Sequence, residues 1–239
     1  MSGPEWAVPY IVMRDGEEPV PETMISIRYG RGGKPVGLCY RDEMTGDRDD
    51  RGVLWARTSQ NRSLDNRLVG KPYFAKMHPA RQRETMSMLR CQVCHAPASR
   101  TEHGYLFVAR KPAPGTEVEG MLTGQPPVCL PHAVAAIERC SFLAEQGYVL
   151  LRSRVPRLYG VLAATYGIRD DHALAPLPTP IGPNGEDAPV PYTRRDVTPW
   201  LLASQLVRRL TDVTTVDIDR ELADHTVTAG PVEARGRHA

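Results

Sequence analysis

A chain of 239 residues with 41% hydrophobic content is long enough to bury a real core, in one domain or one domain plus an appendage. The opening Met-Ser-Gly-Pro-Glu lacks a basic start followed by an apolar stretch, which excludes a secretory signal or transit peptide there and leads us to expect a cytoplasmic setting. Tyr159 to Ile168, the longest nearly apolar stretch, is far shorter than the roughly 20 residues that cross a bilayer, so no membrane partner is expected. The net charge of +2 hides an uneven distribution: eleven basic against three acidic residues between Arg57 and Lys111, with acidic excess on either side. Five cysteines, an odd count in a reducing setting, favour metal binding over disulfides.

Residues 1 to 23, rich in Pro and Glu without a period, read as an irregular lead-in. Ile25, Ile27 and Tyr29, then Val36, Leu38 and Tyr40, alternate with other residues at the two-residue period of half-buried strands. A third strand over Val53 to Thr58, after the acidic turn Asp47 to Gly52, completes an expected N-terminal antiparallel β-meander. Asn61 to Phe74 lacks a pattern, and Pro79 opens a helix continued by Ala80 to Leu89.

Gly104 to Arg110 reads as a strand, Lys111 to Pro127 as a loop and Pro131 to Gln146 as a helix. Tyr148 to Arg152 and Leu158 to Tyr166 read as strands separated by Pro156, although the second also suits a helix. Six prolines between 174 and 197 indicate an extended connector. Thr198 then caps a helix with Pro199 at its first position and Leu202, Leu206, Val207 and Leu210 as its stripe, while a disordered tail is expected at 226–239. The expected architecture is α+β: a zinc-centred domain over 1–173, the connector 174–197 and a helical appendage over 198–225.

The chemistry concentrates at Cys91-Gln-Val-Cys94 and Cys129-Leu-Pro-His132. Each pair has the two-residue gap at which a tight knuckle directs both ligands at one ion, and three thiolates with one imidazole close a tetrahedral zinc shell. A closed shell implies a structural rather than a catalytic ion. A helix starting at Pro131 would place its dipole so as to favour the Cys129 thiolate. Knuckle, strand, long loop and helix-borne second pair follow the plan of a treble-clef zinc finger over 91–146. His95 competes for the fourth position but suits a loop, and Cys39 and Cys140 read as free thiols.

Cys91-Gln-Val-Cys94, Pro126-Pro127-Val128-Cys129-Leu130-Pro131 and Pro156-Arg157-Leu158-Tyr159-Gly160-Val161-Leu162 resemble an uncharacterised group of actinobacterial proteins over about residues 80 to 166. In that group the position of His132 resembles cysteine more often, which implies a zinc-ligand role. The resemblance brings no established activity.

Three functions compete. Arg62, Arg67, Lys71, Lys76, Arg81, Arg83, Arg90 and Arg110, with Tyr73, Phe74 and Tyr105 among them, suit DNA or RNA: basic side chains release counterions from phosphates and aromatic rings stack on bases. A degenerate HNH-like nuclease would use His103 beside Glu102, but Gln125 stands where that pattern wants asparagine and no histidine follows His132 on the helix. A zinc deaminase fails because Val93 occupies the place of its glutamate. A protein-interaction module would use zinc only to secure the fold and engage a protein partner through the Thr198 helix or the Pro-rich connector. The preferred reading is a zinc-stabilised, non-enzymatic, nucleic-acid-associated accessory or regulatory protein.

Overall fold

The computed structural model describes residues 8–179, 181–182 and 187–228. Strand β1 (Val12–Arg14) precedes β2 (Ile25–Tyr29), β3 (Pro35–Tyr40), β4 (Leu54–Trp55) and β5 (Pro72–Met77). Helix α1 (Pro79–Met88) leads to β6 (Arg100–Thr101), β7 (Gly104–Arg110), β8 (Leu122–Thr123), α2 (Leu130–Arg139) and α3 (Ser141–Gln146). Strands β9 (Tyr148–Ile168), β10 (Leu174–Pro176), β11 (Val190–Pro191) and β12 (Leu201–Val216) follow, then helix α4 (Ile218–Thr228). The class is α+β.

Eight strands among the described residues form one sheet along the path β4-β12-β9-β7-β6, with β8 added to β12 and β10 and β11 to β9. Its spine is the antiparallel pairing of β9 with β12, from Leu201 opposite Thr165 to Val216 opposite Leu150. Pro156 does not divide β9 in two. There the strand is bonded on one side to β12, with Leu210 opposite, so the missing N–H costs no ladder bond on the other.

The helix expected from Thr198 is replaced by a single 3-10 turn, Thr198–Trp200, and then β12, which is central rather than appended. Two physical causes misled the periodicity. Irregularities between Ala203 and Gln205 and between Val207 and Arg208 break the strict alternation of a strand, so buried side chains fall at spacings that imitate a helical stripe. Beyond them, Thr211, Val213, Thr214, Thr215 and Val216 are β-branched and pack better on a pleated surface than on a helix. Helix α4 begins only at Ile218.

The expected meander is a hairpin. Strands β2 and β3 pair as their alternation requires, Ile25 opposite Tyr40 and Ile27 opposite Leu38, but β4 leaves them and lies parallel to β12. Buried Val53, Leu54 and Trp55 are apolar side by side, so β4, the terminal strand of the main-sheet path, is covered on both faces: Val53 and Trp55 pack into one apolar cluster and Leu54 into another. The lead-in is partly ordered, since β1 pairs with β5. The Pro-rich connector is not a free spacer: β10 and β11 pair with β9, and Val190 is buried against Val161. Of the expected tail, 229–239 lies outside the described residues.

Helix α1 is seated by buried polar side chains. Gln82, wholly buried, donates through Nε2 to the carbonyls of Gly124 (2.7 Å) and Leu206 (2.9 Å), and its Oε1 accepts from the Leu206 N–H (2.8 Å), completing the ladder where β12 is irregular. Arg208 of β12 donates to Met86 O and Ser87 O at 3.0 Å each, placing a cation on the C-terminal carbonyls of α1. Burial pushes Arg208 down to about 10, so it stays protonated at neutral pH. Arg81 lies 1% exposed and donates to both carboxylate oxygens of the fully buried Glu17, at 2.6 and 2.8 Å, and to the carbonyls of Tyr10 and Val12.

At the other end of the sheet, Arg152 of β9 donates to Gly104 O (2.8 Å), Ser99 Oγ (2.9 Å) and the Glu221 carboxylate of α4. Gly104 is obligatory here: its φ is +100°, and a Cβ would stand 2.0 Å from Ser153 O. These contacts fix the β6–β7 hairpin beside the cysteines.

Candidate metal centre

Cys91 to Ala96 form a tight knuckle. The Cys91 N–H donates to Ala96 O (2.8 Å), the His95 N–H returns to Cys91 O (2.8 Å), and His95 turns the chain at φ +59°. Arg90 stiffens it by donating to His95 O at 3.0 Å. Three backbone bonds then bring residues 127–129 alongside: Gln92 N to Pro127 O (3.0 Å), Ser99 N to Val128 O (2.9 Å) and Val128 N to Leu106 O (2.9 Å). Knuckle, β7 and the entry to α2 are thus one bonded unit.

Cys129 is the N-cap of α2, with extended φ and ψ of −81° and 157°, and Pro131 fits the first turn because its missing N–H would have no helical partner. The N–H groups of His132 and Ala133 donate to Cys129 O, which turns the imidazole back toward the sulfur. Sequence order becomes local structure, and local structure aims four side chains at one point.

The ligand atoms of Cys91, Cys94, Cys129 and His132 all lie within 4.8 Å of one another. Cys94 Sγ is 4.0 Å from Cys129 Sγ, Cys91 Sγ is 3.7 Å from His132 Nδ1, and Cys129 Sγ is 3.0 Å from that nitrogen. Sulfurs at about 2.3 Å from a tetrahedral ion would be roughly 3.8 Å apart, so the first two separations match edges of such a shell and the third is shorter. The four residues can hold a metal ion.

Burial pushes the Cys129 thiol up to about 12, with the neighbouring Cys91 and Cys94 sulfurs adding to the rise against the His132 N–H that lowers it. Burial likewise raises Cys94 and lowers His132, leaving a neutral imidazole with a lone pair to give. A dication supplies the charge that turns such thiols into thiolates. Cys91 is fully buried in an apolar cluster with Leu106, Val108, Val128, Leu130 and Leu150, whereas Cys94 is exposed, so the centre sits where that cluster meets solvent.

The other candidates separate from this set. His95 stacks on Tyr10 with ring centroids 4.2 Å apart and stands 3.6 Å from Glu84, in a packing role. Cys39 and Cys140 are free thiols. His103 and Glu102 are exposed in the β6–β7 turn, 3.6 Å apart. In the acidic stretch 42–50, Arg57 bonds both Asp42 and Asp47, and Arg48 bonds Glu43.

The eight basic candidates do not form one surface. Arg81 is internal and spent on Glu17, which removes it from any phosphate contact. Arg83 donates to Gly46 O and Arg48 O and lies over Trp55, and Arg90 is spent on the knuckle. Arg62, Arg67, Lys71, Lys76 and Arg110 are exposed. The first four share residues 62–76 with exposed Tyr73 and Phe74. Sequence reasoning passed over Glu17, Gln82, Arg152 and Arg208, whose partners lie 42 to 124 residues away and carry no local signal.

No protein-family model, curated protein or solved structure matches this chain. No described helix is long and apolar enough to cross a membrane. Site geometry therefore carries the functional argument.

Proposed function

We propose that Cys91, Cys94, Cys129 and His132 hold one structural zinc ion, that residues 91–146 form a treble-clef-like unit around it, and that the protein is a non-enzymatic, nucleic-acid-associated accessory or regulatory protein of the cytoplasm. The observation that carries the zinc assignment is the convergence of the two ligand pairs within 4.8 Å. Three sulfurs and one imidazole suit zinc by softness and number, and four protein ligands leave no open position for substrate, which argues against catalysis at the metal. The likeness to the actinobacterial group is part of the same reading.

Support for nucleic acid is narrower than the sequence suggested, resting on Arg62, Arg67, Lys71 and Lys76. Phe74 is 56% exposed and Tyr73 41%, and Lys76 lies 5.8 Å from the Tyr73 ring. Cations and stacking faces on one short exposed segment are the elements of single-strand binding. The test is binding of labelled DNA and RNA at low and physiological salt, by the native chain and by an Arg62→Ala/Lys71→Ala/Lys76→Ala variant. Affinity should fall steeply with salt, and the variant should flatten the log-log slope by about one for each contact removed. Salt-insensitive affinity, or a variant that binds like the native chain, contradicts the reading.

One observation favours a protein-interaction module instead: Leu64, at the tip of the turn closed by the Ser63 N–H and Arg67 O, is fully exposed. On that reading a partner is captured without steep salt dependence and Leu64→Ser abolishes capture.

A further inference from the structure

A cavity of about 460 Å³ far in sequence from the four candidate metal ligands is lined by three arginines from three separate segments: Arg28 on β2, Arg51 in the turn before β4 and Arg195 in the turn before β12. Tyr192 and Pro199 form its apolar wall. Among the described residues no carboxylate lines it, and none of the three guanidinium groups forms an ion pair. Elsewhere this chain pairs its arginines closely, as Arg57 with Asp42 and Asp47 or Arg194 with Asp196.

Asp49, the carboxylate bonded to the cavity wall, is already saturated. Its Oδ2 accepts from the Tyr192 hydroxyl (2.8 Å) and the Trp55 indole (3.2 Å), and its Oδ1 from the N–H groups of Arg51 and Val53 at 2.9 and 3.0 Å. This network holds Tyr192 in place, and the Arg51 guanidinium lies over its ring at 4.7 Å. Arg51 is thereby oriented by a cation-π contact and its donors stay available. Like charges gathered around one concavity repel unless an anion joins them, and forked guanidinium donors match the oxygens of phosphate.

We infer that the Arg28, Arg51 and Arg195 cavity binds a small phosphorylated ligand, with its phosphate oxygens on the guanidinium groups and its less polar part against Tyr192 and Pro199. The inference is independent of both the metal centre and the 62–76 segment. The cavity volume falls in the range of small-molecule sites, roughly 300 to 1,000 Å³.

The test is calorimetric titration of the full chain with inorganic pyrophosphate and, separately, ATP. Saturable binding of pyrophosphate is expected, weakened about tenfold or more by Arg51→Ala and again by Arg195→Ala, with unchanged melting curves because both side chains are exposed. Arg28→Gln, on a different element, serves as a second variant and should weaken binding likewise. Tighter binding of ATP than of pyrophosphate would assign the apolar wall to a base or sugar, and equal binding would restrict the site to the phosphate groups. Absence of saturable binding of both probes, or binding that survives the Arg51→Ala/Arg195→Ala double substitution within about twofold, overturns the inference.

Discussion

Two polar clusters bind distant parts of this chain, the Cys/His set at the β7 end of the main sheet and the Glu17, Arg81 and Gln82 seat of α1 on β12, and they hold by different physics. The first gathers groups that repel or stay protonated until a cation arrives, so its contribution to stability is conditional on metal. The second is assembled from the protein's own groups, every side-chain nitrogen of Arg81 and Gln82 meeting an acceptor. One end of the molecule should answer to chelators and the other to substitution and pH.

The largest effect should come from removing the metal. Structural zinc contributes roughly 10 to 16 kcal/mol of apparent binding energy in small fingers, so stringent chelation or Cys91→Ser should unfold the unit from Cys91 to Gln146 and lower the melting temperature sharply. An unchanged melting curve after chelation would break the contrast between the two ends.

Next comes the ion pair. Arg81→Met strands the buried Glu17 carboxylate and should cost about 3–5 kcal/mol by denaturant unfolding, whereas the Glu17→Leu/Arg81→Met double substitution should recover much of it. A double variant no better than the single would mean that the carbonyls of Tyr10 and Val12, rather than the charge, set the cost. Gln82→Leu should cost a comparable amount. It orphans the Leu206 N–H and carbonyl and the Gly124 carbonyl, and each unsatisfied buried group costs about 1–3 kcal/mol, read as a lower urea midpoint.

How much of this was legible follows the same divide. The ligand pairs announce themselves because each is local, with two residues between its members, and the knuckle and helix start that present them are local too. Helix α1 was legible through Pro79, and β7 through its apolar run, because these signals lie within a few residues. The seat of α1 left no such mark: Arg81 reads as surface charge until Glu17, 64 residues earlier, is placed against it. β12 was misread because its irregularities shift the alternation on which strand recognition depends.

The smallest expected effect concerns pH. His78, buried at the start of α1, accepts from the Arg81 N–H through Nδ1 and donates through Nε2 to Ser59 O, and burial pushes it below its ordinary 6.5. Burial alone would raise Glu17, but the Arg81 hydrogen bonds outweigh it and hold it below its ordinary 4.5. Both groups take up protons more readily unfolded than folded. Stability should therefore be full above about pH 6.5, decline below it as unfolded His78 protonates, and decline again below about 4.5 through Glu17. His78→Gln should flatten the first decline relative to the native chain, seen in melting temperatures between pH 5 and 7. An identical pH profile in that variant would remove His78 from the account.

The most direct test of the central claim is X-ray absorption at the zinc edge on the purified chain. We predict stoichiometric zinc with three sulfurs at about 2.3 Å and one nitrogen at about 2.0–2.1 Å. A preparation without zinc, or a shell dominated by oxygen, would contradict it.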